Sequence, residues 1–175
     1  SYSQPNIVYA QYGVVDGGLD NTARSPTNSA SNTKGAVVGG GENNTAEHLY
    51  STVSGGYDNE ALSPYSAVAG GNNNQAGGFY SAVGGGQLNS SAGEGATVAG
   101  GSRNSAGGDA SSVGGGSNNN ASADMATIAG GYTNRATGYA SAIGGGEENE
   151  ALDDDAVVAG GYANRASGAS AAVVG

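Results

Sequence analysis

The sequence lacks cysteine and tryptophan and has one phenylalanine and one methionine. Without cysteine the chain forms neither disulfides nor thiolate metal sites. With so few large apolar side chains, a layered core of helices packed on a sheet is hard to build. Glycine is abundant instead, at 35 of 175 residues, and a glycine-rich, polar composition is often typical of disorder.

Basic residues are also scarce. The chain has five lysines and arginines in total but fifteen acidic residues, which gives a net charge of −10. This excess of negative charge disfavours both nucleic acid and an anionic membrane surface as partners, because their phosphates would be repelled. No apolar run is long enough to span a bilayer, so we expect no membrane insertion by this segment.

Signatures of catalysis are missing as well. His48 is the only histidine, and beside Glu47 in a turn it is expected to be a surface residue rather than a general base. The triple glycines precede neither a helix nor a lysine, so they indicate turns rather than a phosphate-binding loop. The sequence predicts a protein that is not an enzyme.

What the sequence does have is a strict repeat. A β-branched residue, here called the anchor, recurs every fifteen residues and is closely followed by glycine: Val38, Val53, Val68, Val83, Val98, Val113, Ile128, Ile143, Val158 and Val173. An asparagine stands six residues after each anchor that has enough chain behind it, and alanine, or once Ser91, follows two residues later. Disordered chains have no reason to keep such spacing, so the repeat argues for order.

One further copy stands upstream, at Val15 and Asn21. From Val15 to Val38 is 23 residues, which predicts an eight-residue insertion within residues 24–34. We therefore divide the chain into an N-terminal strand or cap, residues 1–12, and a repeat domain, residues 13–175.

The repeat excludes an α-helix, because each glycine would cost about 1 kcal/mol and no apolar stripe of helical period exists. Segments such as "ATV" and "SAI" alternate as a strand does, with the anchor and the small residue two before it facing inward. Glycines then turn the chain, and a second short strand passes through Asn-x-Ala. The pattern predicts an all-β, parallel β-solenoid (a β-roll or β-helix) of about eleven fifteen-residue coils, roughly 50 Å long.

In such a stack the asparagines form one internal column. We predict a structural ladder of side-chain amides, since ten equivalent copies suit a scaffold better than a catalytic or ligand site; its members are Asn21, Asn44, Asn59, Asn74, Asn89, Asn104, Asn119, Asn134, Asn149 and Asn164. The inward-facing set is thin, so we also expect several copies to associate laterally.

The segments "SAVGGGQLNSSAG" and "ATIAGGYTNRATG" resemble head repeats of trimeric autotransporter adhesins of the YadA-like type and other Gly-Asn-rich repeats of extracellular bacterial proteins. The resemblance implies a left-handed β-roll, three chains side by side as a parallel homotrimer, and a cell-surface rod that binds host matrix or cell-surface glycans. The repeat here has fifteen residues rather than the family's usual fourteen, and the last repeat ends at Gly175 as an open coil. These departures keep an alternative open, an extracellular filament subunit stacked end to end.

Three outward columns are candidate sites. Tyr50, Tyr65 and Tyr80 share one register and predict an aromatic strip that contacts a second subunit or a ligand. Glu94, Asp109 and Asp124 share another, for which bound Ca²⁺ or solvated, splayed carboxylates are the two readings; no other cofactor is expected. The third column, Arg135, Glu150 and Arg165, predicts a ladder of alternating charge.

Asn43 and Asn120 each begin an Asn-x-Ser/Thr sequence and are candidate glycosylation sites. Taken together, the residues and the resemblance predict a non-enzymatic, extracellular or cell-surface rod with a structural or adhesive function.

Overall fold

The computed structural model describes residues 5–24 and 34–175, so most of the predicted insertion, residues 25–33, lies outside the described residues. On either side of it the coils are in register, because Val15 pairs with Val38 and Ala23 with Ala46. The described part of the chain contains no helix, and so none that is long and apolar enough to cross a membrane.

Each coil contributes one two-residue strand to each of two parallel, eleven-stranded sheets. The first, here called the polar sheet, consists of β1 (Ile7–Val8), β3 (Thr22–Ala23), β5 (Thr45–Ala46), β7 (Glu60–Ala61), β9 (Gln75–Ala76), β11 (Ser90–Ser91), β13 (Ser105–Ala106), β15 (Asn120–Ala121), β17 (Arg135–Ala136), β19 (Glu150–Ala151) and β21 (Arg165–Ala166). The second, the anchor sheet, consists of β2 (Val14–Val15), β4 (Val37–Val38), β6 (Thr52–Val53), β8 (Ala67–Val68), β10 (Ala82–Val83), β12 (Thr97–Val98), β14 (Ser112–Val113), β16 (Thr127–Ile128), β18 (Ala142–Ile143), β20 (Val157–Val158) and β22 (Ala172–Val173).

Every strand pairs with the strand one coil away, as in Val83 with Val98. A third line of single β-bridges joins neighbouring coils in the segment between the two strands of each coil. It includes the bridges from Tyr57 to Asn72 and from Ser102 to Ser117. The predicted all-β parallel β-solenoid of about eleven coils is therefore confirmed.

The core is narrow and built from small side chains. From β3 to β21 the second residue of each strand points inward, so anchors such as Val98 and the alanines of the polar sheet, such as Ala106, are buried. The residue two before the anchor is buried as well, as serine (Ser51) or alanine (Ala96). These are the positions that the strand alternation predicted to face inward.

The solenoid begins earlier than the sequence analysis predicted. Residues 1–12 were placed outside the repeat, but Ile7–Val8 pairs with Thr22–Ala23 at a separation of fifteen residues. Asn6 also occupies the ladder position below Asn21, whose backbone N–H donates to the Asn6 Oδ1 at 3.0 Å. The overlooked signal was this asparagine, fifteen residues before Asn21; Val8 stands where the other coils have alanine or, once, serine, which obscured the match.

Glycines at the turn have the positive φ that was predicted, for example +92° at Gly101. The sequence analysis missed two further positive-φ positions in each coil, which residues other than glycine occupy in every described coil except at Gly35 and Gly95. One lies five residues after the anchor, as at Leu88 (φ 57°), and the other three residues before it, as at Tyr80 (φ 57°). This conformation is uncommon for side-chain-bearing residues, and hydrogen bonds to the adjacent coils hold it here: the Tyr80 N–H donates to the Pro64 carbonyl at 3.1 Å.

The buried serines predict a stability difference. The Ser111 hydroxyl is buried without a hydrogen-bond partner among the described residues, whereas the Ser66 hydroxyl donates to the Ser63 carbonyl at 2.6 Å. Ser111→Ala should stabilise the fold by about 1 kcal/mol, because an unpaired buried hydroxyl is removed, and Ser66→Ala should destabilise it by about 1 kcal/mol. Chemical denaturation of both variants checks this, and equal effects of the two would contradict it.

Candidate functional site

The asparagine column is buried inside the rod. Asn119 is representative: its Nδ2 donates to the Gly115 carbonyl of its own coil at 2.9 Å and to the Gly131 carbonyl of the next coil at 2.9 Å. Its Oδ1 accepts the backbone N–H of Asn134 at 3.0 Å and the Asn134 Nδ2 at 3.1 Å. The amide dipoles therefore align from coil to coil and polarise one another.

This asparagine ladder has no surface from which to act on a ligand. Its members from Asn21 to Asn149 are at most 1% exposed, and Asn164, in the last full coil, is partly buried. The arrangement has a structural role. The side-chain amides connect each coil to the next by hydrogen bonds inside the rod, and the backbone hydrogen bonds of the two sheets connect the same coils.

Aromatic side chains form a ridge along one corner of the rod. The rings of Tyr65 and Tyr80 stack with centroids 4.8 Å apart, and those of Tyr50 and Tyr65 lie 5.6 Å apart. Phe79, which the sequence analysis missed, meets the Tyr80 ring edge-on at 4.7 Å. In the sequence, Phe79 could have been recognised from its position directly before Tyr80. We call Tyr50, Tyr65, Phe79 and Tyr80 the aromatic ridge.

Glycines flank this ridge at both ends of its column. A Cβ on Gly35 would lie 2.7 Å from Cδ1 of Tyr50, so the Tyr50 ring leans back over the glycine of the preceding coil. At the other end, a Cβ on Gly95 would meet no atom within 4 Å. The step of the column that follows Tyr80 is therefore open, and the Tyr80 side chain is 56% exposed.

The acidic column lies on the same corner, in the next three coils. The backbone N–H of Glu94 donates to Asp109 Oδ1 at 2.8 Å, and that of Asp109 donates to Asp124 Oδ1 at 2.9 Å. Within residues 5–24 and 34–175, no three acidic or histidine side chains are grouped closely enough to hold a metal ion. The carboxylates thus have a structural use without a metal, and calcium binding stays a prediction.

The other predicted columns are only partly formed. Arg165 Nε lies 3.7 Å from Glu150 Oε2. Arg135 pairs with Glu150 through the backbone register, but among the described side chains no ion pair joins them within 4 Å. With the Arg165 side chain 64% exposed, the one pair formed contributes little stability.

Asn43 and Asn120, the candidate glycosylation sites, are both exposed. Asn43 Nδ2 donates to Asp58 Oδ1 at 2.7 Å, so a glycan there would break a hydrogen bond between coils. Glycosylation of either residue stays a prediction.

Among the described residues, the outward side of the anchor sheet carries no charged side chain. The outward residues of the anchor sheet are small, and over ten coils none is ionisable: Val37, Thr52, Ala67, Ala82, Thr97, Ser112, Thr127, Ala142, Val157 and Ala172. A shallow groove lies over four of these coils and is lined by Ala67, Ala82 and Thr97 among others. The equivalent column of the polar sheet includes Glu60 and Arg135. We call this side of the anchor sheet the uncharged face.

Comparison with known proteins bears on the repeat itself. A family model described as the ubiquitous surface protein adhesin repeat matches residues 157–168, and no curated protein matches the chain. The matched segment contains an anchor, Val158, the following glycine pair, and Asn164 with Ala166. The match therefore covers most of one fifteen-residue repeat unit, and with the β-solenoid fold it fits an adhesin-like repeat. Both suggest a non-enzymatic, structural role at a cell surface.

Proposed function

We propose that the chain is the rod of an extracellular, YadA-like adhesin head, which displays repeated surface columns at the cell surface. The observation that carries the proposal is that the adhesin-repeat match falls within one repeat unit and includes its anchor, its turn glycines and its ladder asparagine, Asn164. Eleven such units make a rod whose outward positions repeat about every 4.8 Å. The mechanism is geometric, because each inner coil is hydrogen-bonded to both neighbours and the display positions stay in line.

Lateral association of copies belongs to the same proposal. A chain with a net charge of −10 repels a second copy across most of its surface, and the uncharged face is where that repulsion is weakest. Its side chains are short, so two backbones can approach closely there. The narrow core of a single rod, built mainly of alanine and valine, would gain buried apolar area from such contact.

A charged substitution on the uncharged face tests the association. Ala82→Glu should reduce the solution mass from three times 16.7 kDa to that of one chain, because the carboxylates of neighbouring copies would be forced together without partners. Ser90→Glu is the matched control. It adds the same charge to the polar sheet, where Glu60 already occupies the equivalent position, and should leave the mass unchanged.

Light scattering and electron microscopy of the unmodified protein decide between assemblies. Discrete rods of three chains support the proposal. Long fibres with an axial repeat of roughly 50 Å would overturn it in favour of the end-to-end filament, and single-chain particles would overturn lateral association.

Adhesion itself is tested with beads that carry the full chain. Beads coated with this protein should adhere to immobilised collagen, fibronectin or laminin, or to glycan-bearing epithelial cells, more than beads coated with albumin do. Adhesion equal to that of albumin on every surface would contradict the adhesive part of the proposal.

A further inference from the structure

The aromatic ridge and the acidic column are parts of one continuous edge. Over the six coils whose anchors run from Val53 to Ile128, the residue four positions before the anchor changes character, and its successive occupants are Leu49, Pro64, Phe79, Glu94, Asp109 and Asp124. Because coils stack in parallel at a constant register, Phe79 and Glu94 are neighbours about 4.8 Å apart. An apolar, aromatic stretch of three coils therefore runs directly into an acidic stretch of three coils.

Ring surface is accessible where the two stretches meet. Tyr80 is the last ring of the stack, and its column continues with Gly95, which leaves the following step open. Tyr80 and Phe79 are 56% and 39% exposed. A planar or cationic group could cover the outer side of the Tyr80 ring without displacing any side chain.

The carboxylates beside this opening keep an acceptor free for a partner. In Asp109 and Asp124 it is Oδ1 that accepts a backbone N–H of the preceding coil, and both residues are exposed. This edge is formed by the turn residues three to five positions before each anchor. From residues 48–50 onward, none of these turn residues is lysine or arginine. The edge thus combines π surfaces with uncompensated negative charge.

We propose that this edge docks an extended, arginine-rich segment of a partner protein. A guanidinium group stacks on an aromatic face and pairs with a carboxylate, and no other side chain does both equally well. The first arginine would lie over Tyr80 above Gly95, and following arginines would pair with Glu94, Asp109 and Asp124. The net charge of −10 would steer such a segment to the rod.

Other occupants fit less well. A second copy of this chain, aligned in parallel, would bring two acidic columns together. A neutral sugar could cover a ring but would leave the carboxylates without a counter-charge. The proposal rests on the proposed function in one respect, namely that an adhesive rod needs a surface for its partner, but it does not depend on lateral association.

Fluorescence anisotropy with labelled peptides and the full chain tests the proposal. Deca-arginine should bind more tightly than deca-lysine, because lysine lacks the planar group that stacks on a ring, and a neutral Gly-Ser decamer should not bind. Equal affinity for deca-arginine and deca-lysine, or no binding of either, would overturn the proposal, as would displacement of bound deca-arginine by maltohexaose.

Variants distinguish the contribution of the aromatic rings to peptide affinity from that of the overall negative charge. Tyr65→Ser with Tyr80→Ser should weaken deca-arginine binding about four- to twenty-five-fold, since each exposed ring contributes a factor of about two to five. The fold tolerates serine or alanine at this position, because Ser170 and Ala110 occupy it with φ of 57° and 54°. Tyr132→Ser is the control: it removes a 48% exposed tyrosine from another column and should leave affinity unchanged.

The acidic stretch is tested by Asp109→Asn with Asp124→Asn, which keeps the Oδ1 acceptors but removes two charges. The salt dependence of deca-arginine binding should fall. An unchanged salt dependence, or equal losses of affinity in the tyrosine variant and its Tyr132→Ser control, would overturn the proposal.

This inference and the lateral association can fail separately. A chain that forms trimers but does not bind deca-arginine overturns this inference alone. A chain that binds the peptide but stays monomeric overturns only the lateral association.

Discussion

Gly101→Ala is expected to unfold the protein or to lower its free energy of unfolding by more than about 4 kcal/mol. A Cβ at Gly101 would overlap the carbonyl oxygen of Gly116 in the next coil and lie 2.6 Å from Nδ2 of Asn104. Both contacts involve groups that cannot withdraw, because one is backbone and the other belongs to the asparagine ladder. The φ of +92° adds strain that any side-chain-bearing residue would feel.

The adjacent glycine is the matched control. Gly100 lies outside the positive-φ range, and its nearest neighbour to a new Cβ is the Gly85 carbonyl oxygen at 3.9 Å. Gly100→Ala should therefore fold with nearly unchanged stability. Circular dichroism during urea unfolding measures both variants; if Gly101→Ala and Gly100→Ala behaved alike, the close approach of coils at the glycine turn would be refuted.

Asn119→Ala is expected to destabilise the protein by about 2–6 kcal/mol. It removes the Nδ2 donor of the Gly115 carbonyl and the Oδ1 acceptor of the Asn134 N–H. The Asn134 N–H would then be left unpaired in the buried interior and the Gly115 carbonyl in a partly buried position, at about 1–3 kcal/mol for each group. The Gly131 carbonyl would keep one hydrogen bond, because it also accepts the Ser117 N–H at 2.9 Å.

Asn120→Ala is the control in the same coil. Asn120 follows Asn119 directly, but its side chain is exposed, so the substitution should change the free energy of unfolding by less than about 0.5 kcal/mol. Equal destabilisation by the two substitutions would contradict a structural role for the buried amides. Hydrogen exchange gives a second readout, since Asn119→Ala should speed exchange of the Asn134 amide before that of distant coils.

These two positions explain why the repeat is so strict. Turn glycine and asparagine depend on each other across coils: the Gly116 carbonyl accepts the Asn104 Nδ2, and the absence of a Cβ on Gly101 leaves room for that amide. A change at one position leaves unpaired groups in the next coil, so variation is confined to outward residues. That is the pattern an adhesive rod needs, with a constant interior and a surface that differs from coil to coil.

Much of the architecture could be predicted from the sequence. The fifteen-residue spacing of Val98, Val113 and Ile128 predicted coil length and number, and strand alternation predicted which residues face inward, since only side chains of similar size can stack in register. The first half-coil was missed at Asn6 and Val8, because valine there interrupts the Asn-x-Ala pattern.

The sequence by itself thus determined the period, the inward-facing set and the columns. Only the tertiary structure decided what those columns do: that each ladder amide bonds two coils, that Phe79 joins the tyrosines, and that Asp109 and Asp124 accept backbone N–H groups. It also placed tyrosine at a positive φ, where propensity alone favours glycine. The physical reason is that these features depend on atoms fifteen residues apart in sequence, whose distances and orientations are set by the stacking of whole coils.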